Sequence, residues 1–158
     1  MDVIVKSIDQ INGIVKWAVV ILLGMLTVLV FTQVLFRYVI EYALTWSDEV
    51  ARYMLVWVTF LGASLGARTK ALIGLEVVVN LLRGIPKRLA IETAMFLTVG
   101  FLVFVVIYGL KLTFIGYDQF SPALFVRMSW VYMAIPIGGS LMIMNVLANA
   151  IEFWQGGK

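Results

Sequence analysis

The 158-residue sequence has no cysteine and no histidine. Without cysteine there is no disulfide and no thiol redox chemistry, and without either residue there is no Cys/His zinc site. A haem held by paired histidines is excluded as well, which argues against a cytochrome-type membrane anchor. Charge is also scarce. Only 13% of residues are Asp, Glu, Lys or Arg, against about a quarter in soluble domains. The net charge of +3 is small and is read through its distribution rather than as a nucleic-acid footprint. No cofactor, metal or nucleic-acid partner is expected.

What fills the chain instead is apolar. Hydrophobic residues make up 63%, and the mean hydropathy is +1.02. They fall in long runs, each near or above the roughly 20 residues that a helix needs to cross the hydrocarbon core. The expected fold is an all-α integral membrane domain over residues 1–158, with four spans at about 14–38, 47–67, 87–114 and 128–153. The first apolar run, from Ile14, is long enough to remain a membrane helix and is not followed by a small-residue cleavage site, so no cleavable leader is expected. Before it, Asp2, Lys6 and Asp9 mix with apolar residues, a pattern suited to a short surface helix.

The stretch from Leu72 to Arg83 differs from the spans. Glu76, Asn80, Arg83 and Lys87 recur at helical steps and make one polar stripe on an apolar segment too short to cross. A helix lying in the interface plane fits it. Gly84 and Pro86 end that segment, and Pro86 suits a first turn. The third span exceeds the membrane thickness and is expected to tilt or protrude. Pro136, inside the fourth, is expected to kink it or free a carbonyl.

Lys and Arg in short connections set orientation. Lys6, Lys16, Arg68, Lys70, Arg83, Lys87, Arg88 and Lys158 fall on one side; Arg37, Arg52, Lys111 and Arg127 fall on the other. Eight against four places both termini in the cytoplasm. Trp46 and Trp130 then sit at the outer span ends, and Trp17 and Trp154 at the inner ends, as interfacial anchors do. Trp57 lies deeper and is expected against a neighbouring helix.

Chemistry concentrates at Thr45-Trp46-Ser47-Asp48-Glu49-Val50-Ala51-Arg52. Thr45 and Asp48 have capping-box spacing, with Ser47 an alternative cap. Asp48 and Glu49 suit a first turn, where the helix dipole favours negative charge. Arg52, one turn on, is placed to pair with Asp48. One reading is a well-capped helix entry; the sharper one is a charged corner that docks a partner protein. Arg37 reads as a snorkelling cation. Gln33, deeper, is expected to bond another helix, and Asn145 and Asn149 share one face as interhelical bonding groups. Gly62 and Gly66 form GxxxG, a close-packing motif. Glu92 pairs locally with Arg88 on the simplest reading. No carboxylate lies near the midplane and no broken helices pair symmetrically, as transporter binding sites often require.

Three stretches carry a family resemblance. The first is Gln33-Val34-Leu35-Phe36-Arg37-Tyr38, followed by Leu44-Thr45-Trp46-Ser47-Asp48-Glu49-Val50-Ala51-Arg52-Tyr53. The second is Ile73-Gly74-Leu75-Glu76. The third is Ser121-Pro122-Ala123-Leu124, followed by Trp130-Val131-Tyr132-Met133-Ala134-Ile135-Pro136-Ile137-Gly138. Together they resemble the small membrane subunit of tripartite ATP-independent periplasmic (TRAP) transporters, the DctQ-like family. The resemblance implies a non-catalytic scaffold in a bacterial inner membrane. Its implied partners are a large elevator-type membrane subunit that binds substrate and sodium, and a periplasmic protein that delivers an organic acid such as a dicarboxylate or a sialic acid. No direct contact between this chain and substrate is implied. Arg37, Trp46, Asp48, Glu49, Arg52, Ser121, Pro122 and Arg127 become candidate assembly or docking residues. The chain departs from the family in two places. Leu72 stands where a His is frequent, and Phe125-Val126-Arg127 stands where Gly-Ile-Pro is frequent. Two other readings remain: a self-sufficient four-helix transporter, which would need an essential membrane carboxylate and has only Glu92, and a membrane anchor for a redox enzyme.

Overall fold

The computed structural model describes residues 2–41, 44–69 and 85–156. The expected interfacial helix at 72–83, with Glu76, Asn80 and Arg83, lies outside the described residues, as does the side chain of Trp154. Helix α1 runs Asp2–Val39, α2 Thr45–Arg68 and α3 Ile85–Ile115. A single 3-10 turn follows at Gly116–Asp118, then a short α4 at Ser129–Tyr132 and finally α5 at Ala134–Gly156. Four stretches are long and apolar enough to cross a membrane: Val5–Val39, Thr45–Arg68, Leu89–Asp118 and Ser129–Glu152.

The N-terminal segment is not a separate surface helix. It continues into the first span as one helix of 38 residues, about 57 Å long at 1.5 Å per residue. The reason lies in packing. Ile8, Asn12 and Val15 recur at steps of four and three and are all buried, so the N-terminal part of the helix packs by one face on protein.

The last span is interrupted where proline requires it. Pro136 has no N–H to offer the carbonyl of Tyr132, so the α-helical hydrogen-bond series breaks there. Helix α4 ends at Tyr132 and α5 starts at Ala134, with the Ile137 N–H resuming the series on Met133 at 3.2 Å.

The helices form an open row. Helix α1 packs on α2, α2 on α5, and α5 on α3, while α1 and α3 make no close contact. The last span is central: 44% of the most apolar stretch of Ser129–Glu152 is buried, against 0% of that stretch in Val5–Val39. Leu102 of α3, Ala67 of α2 and Met142 of α5 make a buried cluster, with Phe60, Ala63, Ile143 and Val146 packed on it. Close approach depends on glycine. A Cβ at Gly138 would lie 2.7 Å from the Phe60 Cβ, and one at Gly109 would lie 2.7 Å from Ile135 Cγ2. By contrast nothing lies within 4 Å of a Cβ built at Gly62. Among the described residues none makes the close helix contact expected at Gly62.

Candidate functional site

Inside a bilayer, backbone and side-chain polar groups have no water to bond. The chain meets this constraint first by local means. Thr27, Thr59, Thr93, Thr98 and Thr113 each donate a hydroxyl hydrogen bond to the carbonyl four residues earlier, at 2.7–2.8 Å. Ser140 does the same toward Pro136 at 2.7 Å. Among the described residues no buried side-chain nitrogen or oxygen lacks a partner.

Other polar side chains tie helices together in two groups, one at each end of the row. The first is at the end that carries the termini. Asn12 of α1 and Asn145 of α5 are both buried and exchange amide hydrogen bonds: Asn12 Nδ2 donates to Asn145 Oδ1 at 2.6 Å, and Asn145 Nδ2 to Asn12 Oδ1 at 3.0 Å. Asn145 also donates to the Ser64 carbonyl of α2 at 2.7 Å, so three helices meet at one amide. One turn on, Arg68 repeats the arrangement. Its guanidinium donates to Asp9 of α1 at 2.8 Å, to Asn149 of α5 at 2.7 Å and to Glu152 of α5 at 2.6 Å. Asn149 in turn donates to the Ala67 carbonyl at 2.8 Å. Arginine suits this position because its planar fork presents five donors in fixed directions.

The second group lies at the opposite end. Residues 48 to 68 of α2 span about 30 Å, so the two groups stand roughly one hydrocarbon thickness apart. Gln33 of α1 donates its side-chain amide to Asp48 of α2. Glu49, in the same turn, reaches the connection between α3 and α4. Its carboxylate accepts the Ser121 hydroxyl at 2.8 Å and the Ala123 and Leu124 amides at 3.1 Å each. Ser121 is buried, and its oxygen also accepts the Leu124 N–H at 3.3 Å. Pro122 presets the backbone of this tight turn. The first and third stretches singled out in the sequence thus meet at one carboxylate.

Several expectations about this corner change. Thr45 and Asp48 do not form a capping box: the N-cap is Leu44, with no side-chain capping bond. Ser47, fully buried, is not a cap acceptor either, because its hydroxyl donates to the Leu44 carbonyl at 2.7 Å. Asp48 takes the amide of Gln33, and the expected pair between Asp48 and Arg52 is not formed among the described residues. Arg37, in the last turn of α1, is exposed, as are Trp17, Trp46 and Trp130. Trp57 and Glu92 are partly buried.

The connection itself is a small hairpin. The Ser121 N–H donates to the Val126 carbonyl and the Met128 N–H to the Gln119 carbonyl, both at 2.9 Å, around a bridge between Phe120 and Arg127. Phe125 at its tip has a φ of 53°, a left-handed conformation that glycine adopts freely and other residues adopt at a steric cost. This is the position where the resembled pattern frequently has Gly. Arg127 lays its guanidinium over the Tyr117 ring, 4.2 Å from its centre.

Asp9, Asn12, Ser64, Arg68 and Glu152 were not singled out as tying residues from the sequence. The available signal was the step of four between Ser64 and Arg68, matched by Asn145 and Asn149 on another helix. Which residues of α1 would answer them is a matter of tertiary register.

Comparison with known proteins places this geometry. The family model for the DctQ component of tripartite ATP-independent periplasmic transporters matches residues 26–156. Over 119 residues the chain is 33% identical to the C4-dicarboxylate TRAP transporter small permease protein DctQ of Rhodobacter capsulatus, covering 73% of this chain and 52% of that protein. It is 30% identical over 158 residues to the sialic acid TRAP transporter permease protein SiaT of Haemophilus influenzae, covering 92% of this chain and 24% of that one. The chain thus spans about half the length of the first relative and about a quarter of the second.

Proposed function

The chain belongs to the DctQ family of TRAP transporter components, and from that premise we propose that it is the small, non-catalytic scaffold subunit of a sodium-coupled organic-acid importer. It pairs with a large elevator-type membrane subunit, and a periplasmic binding protein delivers a dicarboxylate or sialic acid-type substrate to the assembly. The termini lie in the cytoplasm and the hairpin at Gln119–Met128 faces the periplasm.

One observation carries the scaffold reading. The buried interhelical polar groups of the described residues are taken up in ties between helices at the two ends of the row, and the hydroxyls of Thr27, Thr59, Thr93, Thr98, Thr113 and Ser140 are bonded to their own helices. Such a chain is built to hold shape. The SiaT relative supports a larger partner: this chain corresponds to 24% of that single polypeptide, so in that relative a homologous stretch is joined covalently to about three times as much other sequence. The open row supports it too, because α1 and α3 leave broad apolar faces without a neighbour among the described residues.

The test is reconstitution of substrate uptake in vesicles. The chain alone gives no uptake of a C4-dicarboxylate or a sialic acid, and the co-purified complex with the periplasmic protein does. Uptake by the chain alone sinks the reading. Within the complex, substitution of Asp48, Glu49 or Arg52 weakens assembly or docking and leaves substrate preference unchanged.

A further inference from the structure

From the hairpin between α3 and α4 we infer a phospholipid headgroup site, with Arg127 as the group that holds the lipid phosphate and Tyr117, Phe120, Phe125 and Trp130 as its apolar seat. Depth is the first support. The hairpin joins two spans, Leu89–Asp118 and Ser129–Glu152. Arg127 stands two residues before the second of these, and two residues of chain reach at most about 7 Å. The headgroup layer on each side of the hydrocarbon core is about as thick. With the span ending at Ser129, the guanidinium comes within reach of the lipid phosphates.

The second support is the state of that guanidinium. It is held rather than free, stacked 4.2 Å from the Tyr117 ring centre and 6.0 Å from that of Phe120, and its backbone is bridged to Phe120. Yet it makes no hydrogen bond or ion pair with any described residue. The acids nearby in sequence or fold do not answer it: Glu49 is bonded to Ser121, Ala123 and Leu124, and Asp118, exposed, makes no salt bridge to it among the described residues. The rings hold the guanidinium in place but accept no hydrogen bond from it in the described structure, and an arginine fork matches phosphate oxygens in a bidentate way.

The third support is the surrounding surface. Phe125 is 76% exposed, Trp130 63%, Phe120 57% and Tyr117 56%. Aromatic rings at headgroup depth partition into the interface. The tight turn, clamped by Glu49, holds the Phe125 ring outward despite its left-handed backbone. Together the rings and the cation present an apolar seat with one positive charge, complementary to a phosphodiester above acyl chains.

The chain lacks cysteine, so a single Val126→Cys carries one probe at the site. In vesicles of phosphatidylethanolamine and phosphatidylglycerol, the complex labelled at that position is quenched most by a nitroxide on the lipid headgroup and less by a water-soluble quencher. Native mass spectrometry of the same complex after delipidation, with added phosphatidylglycerol or dioleoylglycerol, reads the phosphate. The unsubstituted complex binds phosphatidylglycerol about tenfold more tightly than Arg127→Ala does, the scale of one charge-assisted contact. Arg127→Lys recovers part of the loss, Lys111→Ala changes nothing, and dioleoylglycerol does not compete. Quenching mainly from water, or equal phospholipid binding by Arg127→Ala, overturns the inference. So does a loss confined to binding of the periplasmic protein, which would assign Arg127 to protein docking.

Discussion

Glu49 and Ser121, 72 residues apart in the chain, are joined by a 2.8 Å hydrogen bond from hydroxyl to carboxylate. The same carboxylate takes the amides of Ala123 and Leu124. A single side chain in the first turns of α2 therefore sets the shape of the hairpin that connects the last two spans.

Replacement of Glu49 tests that clasp. Glu49→Ala removes every acceptor, and Glu49→Gln keeps an acceptor without the charge. Hydrogen exchange at the Ala123 and Leu124 amides should accelerate in the order Ala, then Gln, then the unsubstituted chain, with the α2–α5 core amides unchanged. Unaltered exchange at both amides in Glu49→Ala would show that the hairpin holds its shape without the clasp.

Asn12 and Asn145 call for a double-mutant cycle. Interhelical hydrogen bonds in membranes average about 0.6 kcal/mol and reach about 1.7. Two reciprocal amide bonds between buried side chains belong at the upper end of that range. Asn145→Leu alone leaves Asn12 without its partner and should be worse than expected from the double substitution, with a coupling of about 1–2 kcal/mol. Reversible unfolding in micelles or bicelles measures it. A coupling near zero would mean that the ties at the terminal end are incidental.

Gly138 and Gly62 make opposite predictions for the same substitution. A Cβ at Gly138 meets the Phe60 Cβ at 2.7 Å and its carbonyl oxygen at 3.0 Å, and backbone cannot yield as a flexible side chain can. Gly138→Ala should push α2 and α5 apart and cost about 1–3 kcal/mol. Gly62→Ala meets no described residue and should leave the chain's own stability unchanged. If Gly62→Ala nonetheless reduces recovery of the large membrane partner in a pull-down, the GxxxG face packs against that partner.

Much of this molecule was legible in its residues because a bilayer imposes a simple rule. Apolar runs of sufficient length become helices, and the four spans follow from that, but the start of the first helix does not. There the mixed charges of Asp2, Lys6 and Asp9 suggested a surface helix, but burial of Ile8 and Asn12 extends the span instead. Periodicity alone could not decide this, since a face that packs on protein and a face that lies on a membrane share the same spacing. The Thr45–Asp48 capping box failed for a similar reason. The spacing permits it, but Asp48 has a better partner in Gln33, on a helix that local rules cannot see.

The sequence by itself determined that this is a four-span, all-helical membrane protein without thiol or imidazole chemistry, and it carried the motifs that match the DctQ family. Only the tertiary structure decided which polar side chains answer one another. That Arg68 gathers Asp9, Asn149 and Glu152, that Glu49 clasps Ser121, and that Gly138 rather than Gly62 permits close approach within the chain depend on the rotation and register of helices packed in a row. Hydropathy constrains how many helices cross and how long they are. It is nearly indifferent to how each one turns about its own axis, and steric fit between neighbours together with the need to satisfy every buried polar group sets that angle.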